Sequence, residues 1–169
     1  LARSNGSAGE TLKLLVRAED KYGNRASDFF EMVKVFNEAG ELIWSGCFRE
    51  TANAVFPLEI LLPEAPGTYR FSAESGEFID QSNPVIVSPS QGETSVFWGD
   101  IHGHSLNSDG RGTVSDFYAY CRDVAALDFC SVTDHGFQIT EEGWEESKSV
   151  TEQFNEAGNF VTIQAYEWS

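Results

Sequence analysis

Cysteine, histidine and positive charge are all scarce in this chain. Eleven lysines and arginines stand against 27 acids, a formal net charge of −16. So acidic a surface disfavours nucleic acids and anionic membranes as partners, because both are polyanions, unless a basic patch or bound metal reverses the local field. The acids are spread along the chain rather than gathered in a run, so no acidic tail is implied. Cys47, Cys121 and Cys130 make an odd count without a Cys-x-x-Cys pair, which argues against a disulfide scaffold. Cys121 and Cys130 fall on apolar stripes, where thiols pack as small hydrophobes. No apolar run reaches the roughly 18 residues of a membrane span, and no signal-like amino terminus is seen. A soluble protein is expected, exported if a signal precedes Leu1.

What is present suffices for packed cores. The 169 residues are 41% hydrophobic and 13% aromatic, a globular composition for one or two domains. Up to about Pro89 the chain carries short β-rich runs: 11–18, 31–37, 41–46, 54–62, 68–74 and 83–88. Turn signals separate them, among them Tyr22-Gly23-Asn24, the stretch 37–40, 63–67 with its prolines, Ser75-Gly76 and Asn83-Pro84. This spacing predicts an antiparallel, immunoglobulin-like β-sandwich over residues 1–90, without the Cys-Trp-Cys framework of antibody domains. A polar linker at 91–95 hands over to a second domain at 96–169. Packing or spacing is the expected role of the sandwich. Trp44, Phe29, Phe30 and Tyr69 suit its core, a cover for the second domain, or a carbohydrate-binding face. Asn5-Gly6-Ser7 matches a glycosylation acceptor, a short and weak pattern.

The chemistry lies in the second half. His102, His104 and His135 are the only histidines, and each sits in an acidic or glycine-flanked motif: Gly99-Asp100-Ile101-His102-Gly103-His104, Ser108-Asp109-Gly110 and Thr133-Asp134-His135. On an extended segment, His102 and His104 project to one side and can grip one ion or two adjacent ones. In isolation such a pair reads equally as surface or core histidine. The spacing adds to the case, since His102 to His135 is 33 residues and His135 to Glu167 is 32, one strand-helix repeat each time.

Periodicity supports those repeats. Thr113 is an N-cap with Asp116 as its capping-box partner, and Val114, Phe117, Tyr118, Cys121 and Val124 or Ala125 form a buried helical stripe. Residues 127–133 then read as a strand delivering His135. Thr140 caps a second helix with Trp144, Ser147, Val150 or Thr151, and Phe154 facing inward, weakened at its start by Gly143. Ala157-Gly158-Asn159 stops it, and 160–166 is a third strand that delivers Glu167. Candidate ligands thus fall at the carboxyl ends of successive strands, where α/β folds place active sites.

From about Val96 these motifs resemble the PHP (polymerase and histidinol phosphatase) superfamily, with its His-x-His, a Ser-Asp-Gly-like acid, Thr-Asp-His and a later glutamate. Trp98-Gly99-Asp100 and Tyr166-Glu167-Trp168 are similar, more closely, to a PHP-related family catalogued only as a domain of unknown function. The resemblance covers about the last 70 residues. Amidohydrolases share a His-x-His but not the other motifs. The resemblance implies metal ligands at His102, His104, Asp109, His135 and Glu167, with Asp100 and Asp134 as orienting carboxylates. It implies up to three divalent ions of zinc, manganese or iron in a complete, distorted seven-stranded barrel, and hydrolysis of small phosphoesters by a metal-activated water. Arg111 fits either a phosphate contact or a solvated loop residue.

PHP enzymes complete the site with later histidines, and none follows His135. A closed α/β barrel needs about 250 residues. The chain is therefore expected to be the amino-terminal part of a longer protein, a β-sandwich followed by the first βαβαβ of an incomplete PHP-type barrel. Alone it should bind metal weakly and turn over little. Its uncovered sheet should promote oligomers or swapped dimers. The competing expectation is a non-catalytic binding or scaffold protein with a degenerate site.

Overall fold

The computed structural model describes residues 1–48, 54–89 and 96–169, and it divides into two compact units, Leu1–Val96 and Phe97–Ser169. The linker expected at 91–95 lies outside the described residues.

Among the described residues, the first unit holds nine strands: β1 (Asn5–Ser7), β2 (Thr11–Arg17), β3 (Met32–Phe36), β4 (Leu42–Cys47), β5 (Val55–Leu61), β6 (Gly67–Tyr69), β7 (Ser72–Ser75), β8 (Phe78–Gln81) and β9 (Val85–Ser88). β2 and β5 form an antiparallel pair, β1-β9-β6 a second sheet, and β4-β3-β7-β8 a third. The last two are halves of one layer. β6 runs into β7 and β8 into β9, and the kinked joint is tied by Ser82 N–H to Phe71 O at 2.8 Å and Phe71 N–H to Ser82 Oγ at 3.1 Å. The result is an immunoglobulin-like sandwich whose first strand pairs parallel to its last.

Alternation explains the core. Leu12, Leu14, Leu58 and Ile60 from one layer meet Val33, Val35, Val85 and Val87 from the other, all buried, while the intervening residues of β2 and β5 largely face solvent. Phe29, Trp44 and Tyr69 pack against this core, whereas Phe30 is about half exposed. The run at 68–74 is two strands rather than one, broken where the chain changes partners, and β1 and β8 were not expected. Asn5, in the glycosylation-like triplet, lies in β1 with its side-chain amide donating to Val96 O at 2.7 Å.

The second unit is βαβαβ: β10 (Gly99–Asp100), α1 (Val114–Asp123), β11 (Phe129–Cys130), α2 (Glu141–Phe154) and β12 (Val161–Thr162). The strands form one parallel sheet in the order β10-β11-β12. They are shorter than the spans 127–133 and 160–166 read from sequence, because regular pairing gives way to single hydrogen bonds. Those bonds nonetheless carry the ladder onward, with Ser131 N–H donating to Asp100 O, Thr133 N–H to Gly103 O, Ile163 N–H to Cys130 O and Glu167 N–H to Asp134 O. Three parallel strands make an open sheet among the described residues.

Both helices begin as their caps dictate. Thr113 and Asp116 exchange hydrogen bonds in a full capping box, and Thr140 Oγ1 accepts from Gly143 N–H at 3.1 Å. The α1 stripe of Val114, Tyr118, Cys121 and Val124 is buried against Cys130, Val132 and Phe160, with Phe117 and Phe154 at the margin. Tyr118 is fully buried and bonds to Thr151 Oγ1 at 2.9 Å, joining the helices. Cys121 and Cys130 are buried free thiols side by side in this core, and the contact with Cys121, added to burial, pushes the Cys130 thiol far up. Gly143 has a positive reason to be glycine: a Cβ there would lie 3.0 Å from Asn107 Oδ1, whose amide donates to Gly143 O. Among the described residues, no helix is long and apolar enough to cross a membrane.

Candidate metal centre

All five side chains expected as ligands converge. His102 and His104 follow β10, His135 follows β11, and Glu167 follows β12, bridged to His135 in parallel register. They form two triads that share His104: His102, His104 and Glu167, and His104, Asp109 and His135. Within each triad one ligand atom per residue lies within 4.8 Å of the others.

His104 is the hinge of the cluster. Its Nε2 is 3.0 Å from Glu167 Oε2 and its Nδ1 is 2.5 Å from Asp109 Oδ1. Only the protonated ring donates from both nitrogens. Accordingly the Asp109 hydrogen bond, helped by Glu167 and opposed by burial, raises the His104 pKa above its ordinary value, and the same bond lowers that of Asp109. His102 Nε2 and His135 Nδ1 each approach Glu167 Oε2 at 3.5 Å, and His135 Nε2 lies 3.6 Å from Asp109 Oδ2. His102 is the most open of the three imidazoles, at 68% side-chain exposure against 17% for His104 and 20% for His135.

A buried carboxylate holds the loop that carries His104 and Asp109. Asp134 is 2% exposed and accepts from Ser105 N–H at 2.7 Å, Ser105 Oγ at 2.6 Å and Ser108 Oγ at 2.5 Å. The loop closes on itself through Gly110 N–H to Ser105 O at 2.9 Å and Leu106 N–H to Gly112 O at 2.8 Å. At Gly110 a Cβ would stand 2.1 Å from the His104 carbonyl oxygen, so the returning chain passes only without a side chain. Asp100 acts locally, accepting His102 N–H at 2.9 Å. Arg111 is exposed, and among the described residues no ion pair joins it to the cluster. Sequence reasoning missed Ser105 and Ser108, whose short hydroxyls between the ligands are the trace a loop clamp leaves, and Ser169, whose Oγ is 3.0 Å from His135 Nδ1.

The donor set fits a metal. Three imidazoles and two carboxylates offer mixed nitrogen and oxygen ligation, which suits zinc, manganese or iron better than the all-oxygen cages of calcium and magnesium. An ion bound through a His104 nitrogen would displace the proton that nitrogen shares with its carboxylate.

No family of known sequences matches this chain, and no curated protein does. Among solved structures, the extracellular domain of mouse leukocyte-associated immunoglobulin-like receptor 1, a strand-swapped dimer, is 16% identical over 54% of this chain and 85% of its own, at a TM-score of 0.36. The Lin-41 filamin domain is 12% identical over 52% of this chain and 85% of its own, with the same TM-score of 0.36. PhoD is 10% identical over 98% of this chain and 38% of its own, at a TM-score of 0.40. The strand pairing defines the sandwich independently of these likenesses.

Proposed function

We propose that residues 97–169 belong to a metal-dependent hydrolase of PHP type, acting on small phosphoesters. The observation that carries this reading is the pair of triads meeting at His104, at the carboxyl end of a parallel sheet. Two overlapping ligand groups suit two adjacent ions better than one. A divalent cation bound there supplies Lewis acidity and activates water near neutral pH. The chain's own part is positioning. Glu167, within 3.5 Å of three imidazoles, sets the spacing of the two groups. Asp134 fixes the loop through its three hydrogen bonds, and Asp109 holds His104 by Nδ1. Arg111, free of the cluster, is available for a phosphate oxygen.

Plasma mass spectrometry of the wild type beside His102→Ala and His135→Ala, after supplying zinc or manganese, tests the reading. The same samples are assayed for aryl-phosphate hydrolysis. Metal in the wild type that falls in both variants is the expected result. Metal content unchanged in either variant, or no uptake by the wild type, refutes the shared site. Metal without phosphoester turnover refutes catalysis by this chain.

A further inference from the structure

Among the described residues, the sandwich of the first unit is open along one side, and the opening has a definite chemistry. In the layer β3-β7-β8, register places Val35, Ala73 and Asp80 in one row, and Ser75 opposite Phe78. Val35 is 1% exposed and Ala73 packs on the core, so this face of the layer is the inner one. Yet Phe78 on the same face is 67% exposed. The gap is a groove of about 420 Å³ with an apolar floor that includes Val16, Val33, Phe48 and Phe78. Its rim carries Glu19, Asp20 and Asp80 against one base, Arg17, which is ion-paired to Glu19.

β8 presents a strand edge to this opening. Among the described residues it pairs only with β7, and the two-residue turn at Gly76-Glu77 makes Ser75 and Phe78 a bonded pair. By alternation the backbone groups of Ile79 and Gln81 then point away from β7. Gln81 N–H meets only the neighbouring carboxylate, Asp80 Oδ1, at 2.7 Å. Ile79 is itself 69% exposed. On the opposing layer, the edge of β2 is already met by the chain's own amino terminus, where Leu1 and Leu15 exchange two backbone hydrogen bonds of 2.7 Å.

We infer that this edge takes an extended peptide segment of another protein by strand addition to β8, one whose groove-facing residues are apolar and basic in turn. Main-chain bonds to Ile79 and Gln81 would hold it, its apolar residues would cover Phe78, and its bases would answer the acidic rim. Charge selects this occupant over a second copy of the chain, since copies at −16 repel and would bring Asp80 against a like edge.

The test is titration of the full chain with a capped, fluorescently labelled peptide, about seven residues long, in which serine occupies every second position and valine and lysine take the intervening ones in turn. The same peptide with glutamate in place of lysine is the comparison. Saturable binding at least roughly tenfold tighter for the lysine peptide, weakening with salt, is expected. So is slowed amide exchange at Ile79 in the complex. Ile79→Pro removes the outward N–H without touching the β7 pairing and should abolish binding. If that variant misfolds, Asp80→Lys serves, and should erase the preference for the basic peptide. Absence of saturable binding, equal binding of both peptides, binding that survives Ile79→Pro in a folded chain, or a chain that dimerises through β8 instead would each overturn the inference.

Discussion

Replacing Asp134 tests whether a buried carboxylate, rather than the ligands themselves, organises the candidate centre. Three donors from the loop converge on it, two on Oδ1 and one on Oδ2. Hydrogen bonds to a charged group contribute about 1.5–3 kcal/mol each, and less than their sum when the donors share one loop. Asp134→Ala gives partial relief elsewhere, since Ser105 Oγ keeps Asn107 N–H and Ser108 N–H keeps Ser105 O. The net loss is expected to be about 3 kcal/mol. Asp134→Asn retains an oxygen for Ser105 N–H and Ser108 Oγ and loses the charge and one acceptor, for about 1 kcal/mol.

Two readouts locate that loss. Native-state amide exchange at Ser105 should accelerate strongly in the alanine variant and modestly in the asparagine variant, with Cys130 and Val132 amides unaffected. Zinc affinity should fall by up to about 100-fold for alanine and by less than tenfold for asparagine, since 1.4 kcal/mol is one decade. Unchanged exchange at Ser105 in Asp134→Ala refutes the clamp. So does an asparagine variant as impaired as the alanine one, which would point to the charge acting on the ion rather than to the loop.

Gly110→Ala places a Cβ against the backbone of His104, which cannot rotate away, so the loop must shift. A stability loss of about 1–3 kcal/mol and at least roughly tenfold weaker metal binding are expected by urea unfolding and zinc titration. The pH dependence of the metal-free chain has two limbs. Because His104 is raised, its stabilising contribution is full below its ordinary 6.5 and fades as pH rises through the raised value. Because Asp109 is lowered, its contribution is full above its ordinary 3.8 and fades as pH falls through the lowered value. Zinc binding runs the other way at the upper limb, tightening as pH rises and His104 gives up its proton. Melting curves from acid to mildly alkaline pH, with and without zinc, should therefore diverge increasingly above the His104 titration, and parallel curves would contradict the assignment.

The second unit was largely legible because its signals are local. Thr113 and Asp116 form a cap within one turn, the α1 stripe follows helical period, and the ligands sit where strands end. The first unit was legible where alternation is strong, as in β2 and β5, and failed where it is not. β1 is Asn-Gly-Ser, a composition typical of turns, and it is a strand because it lies along β9 with Gly6 close under Leu62. β8 is exposed at every position and carries a charge on its inner row, so no pattern marks it. Strand lengths were overstated at β11 and β12, since apolar runs report burial and regular pairing ends sooner. The loop clamp was half legible: Asp134 stood out beside a ligand, but its three donors are set by a fold that brings residue 105 to residue 134.

The hydrogen bonds that extend the sheet past its regular strands also set the spacing of the candidate ligands. Thr133 N–H to Gly103 O fixes His102 and His104 against the second strand, and Gly136 N–H to Glu167 O with Glu167 N–H to Asp134 O fixes the glutamate against His135. Ligand spacing is thereby a property of strand register. A slip of one residue between the first two strands would turn His104 away and bring Gly103 to the centre, because side chains alternate. Two features oppose that slip. Gly103 packs under the Phe117 ring, whose atoms stand 2.2 Å from where a Cβ would be, and a Cβ on Gly99 would stand 2.5 Å from the Phe129 ring. The glycines at 99 and 103 thus bracket the His-x-His segment and lock it to the neighbouring strand and helix. Register, set by backbone bonds and glycine contacts, thus brings the candidate ligands together.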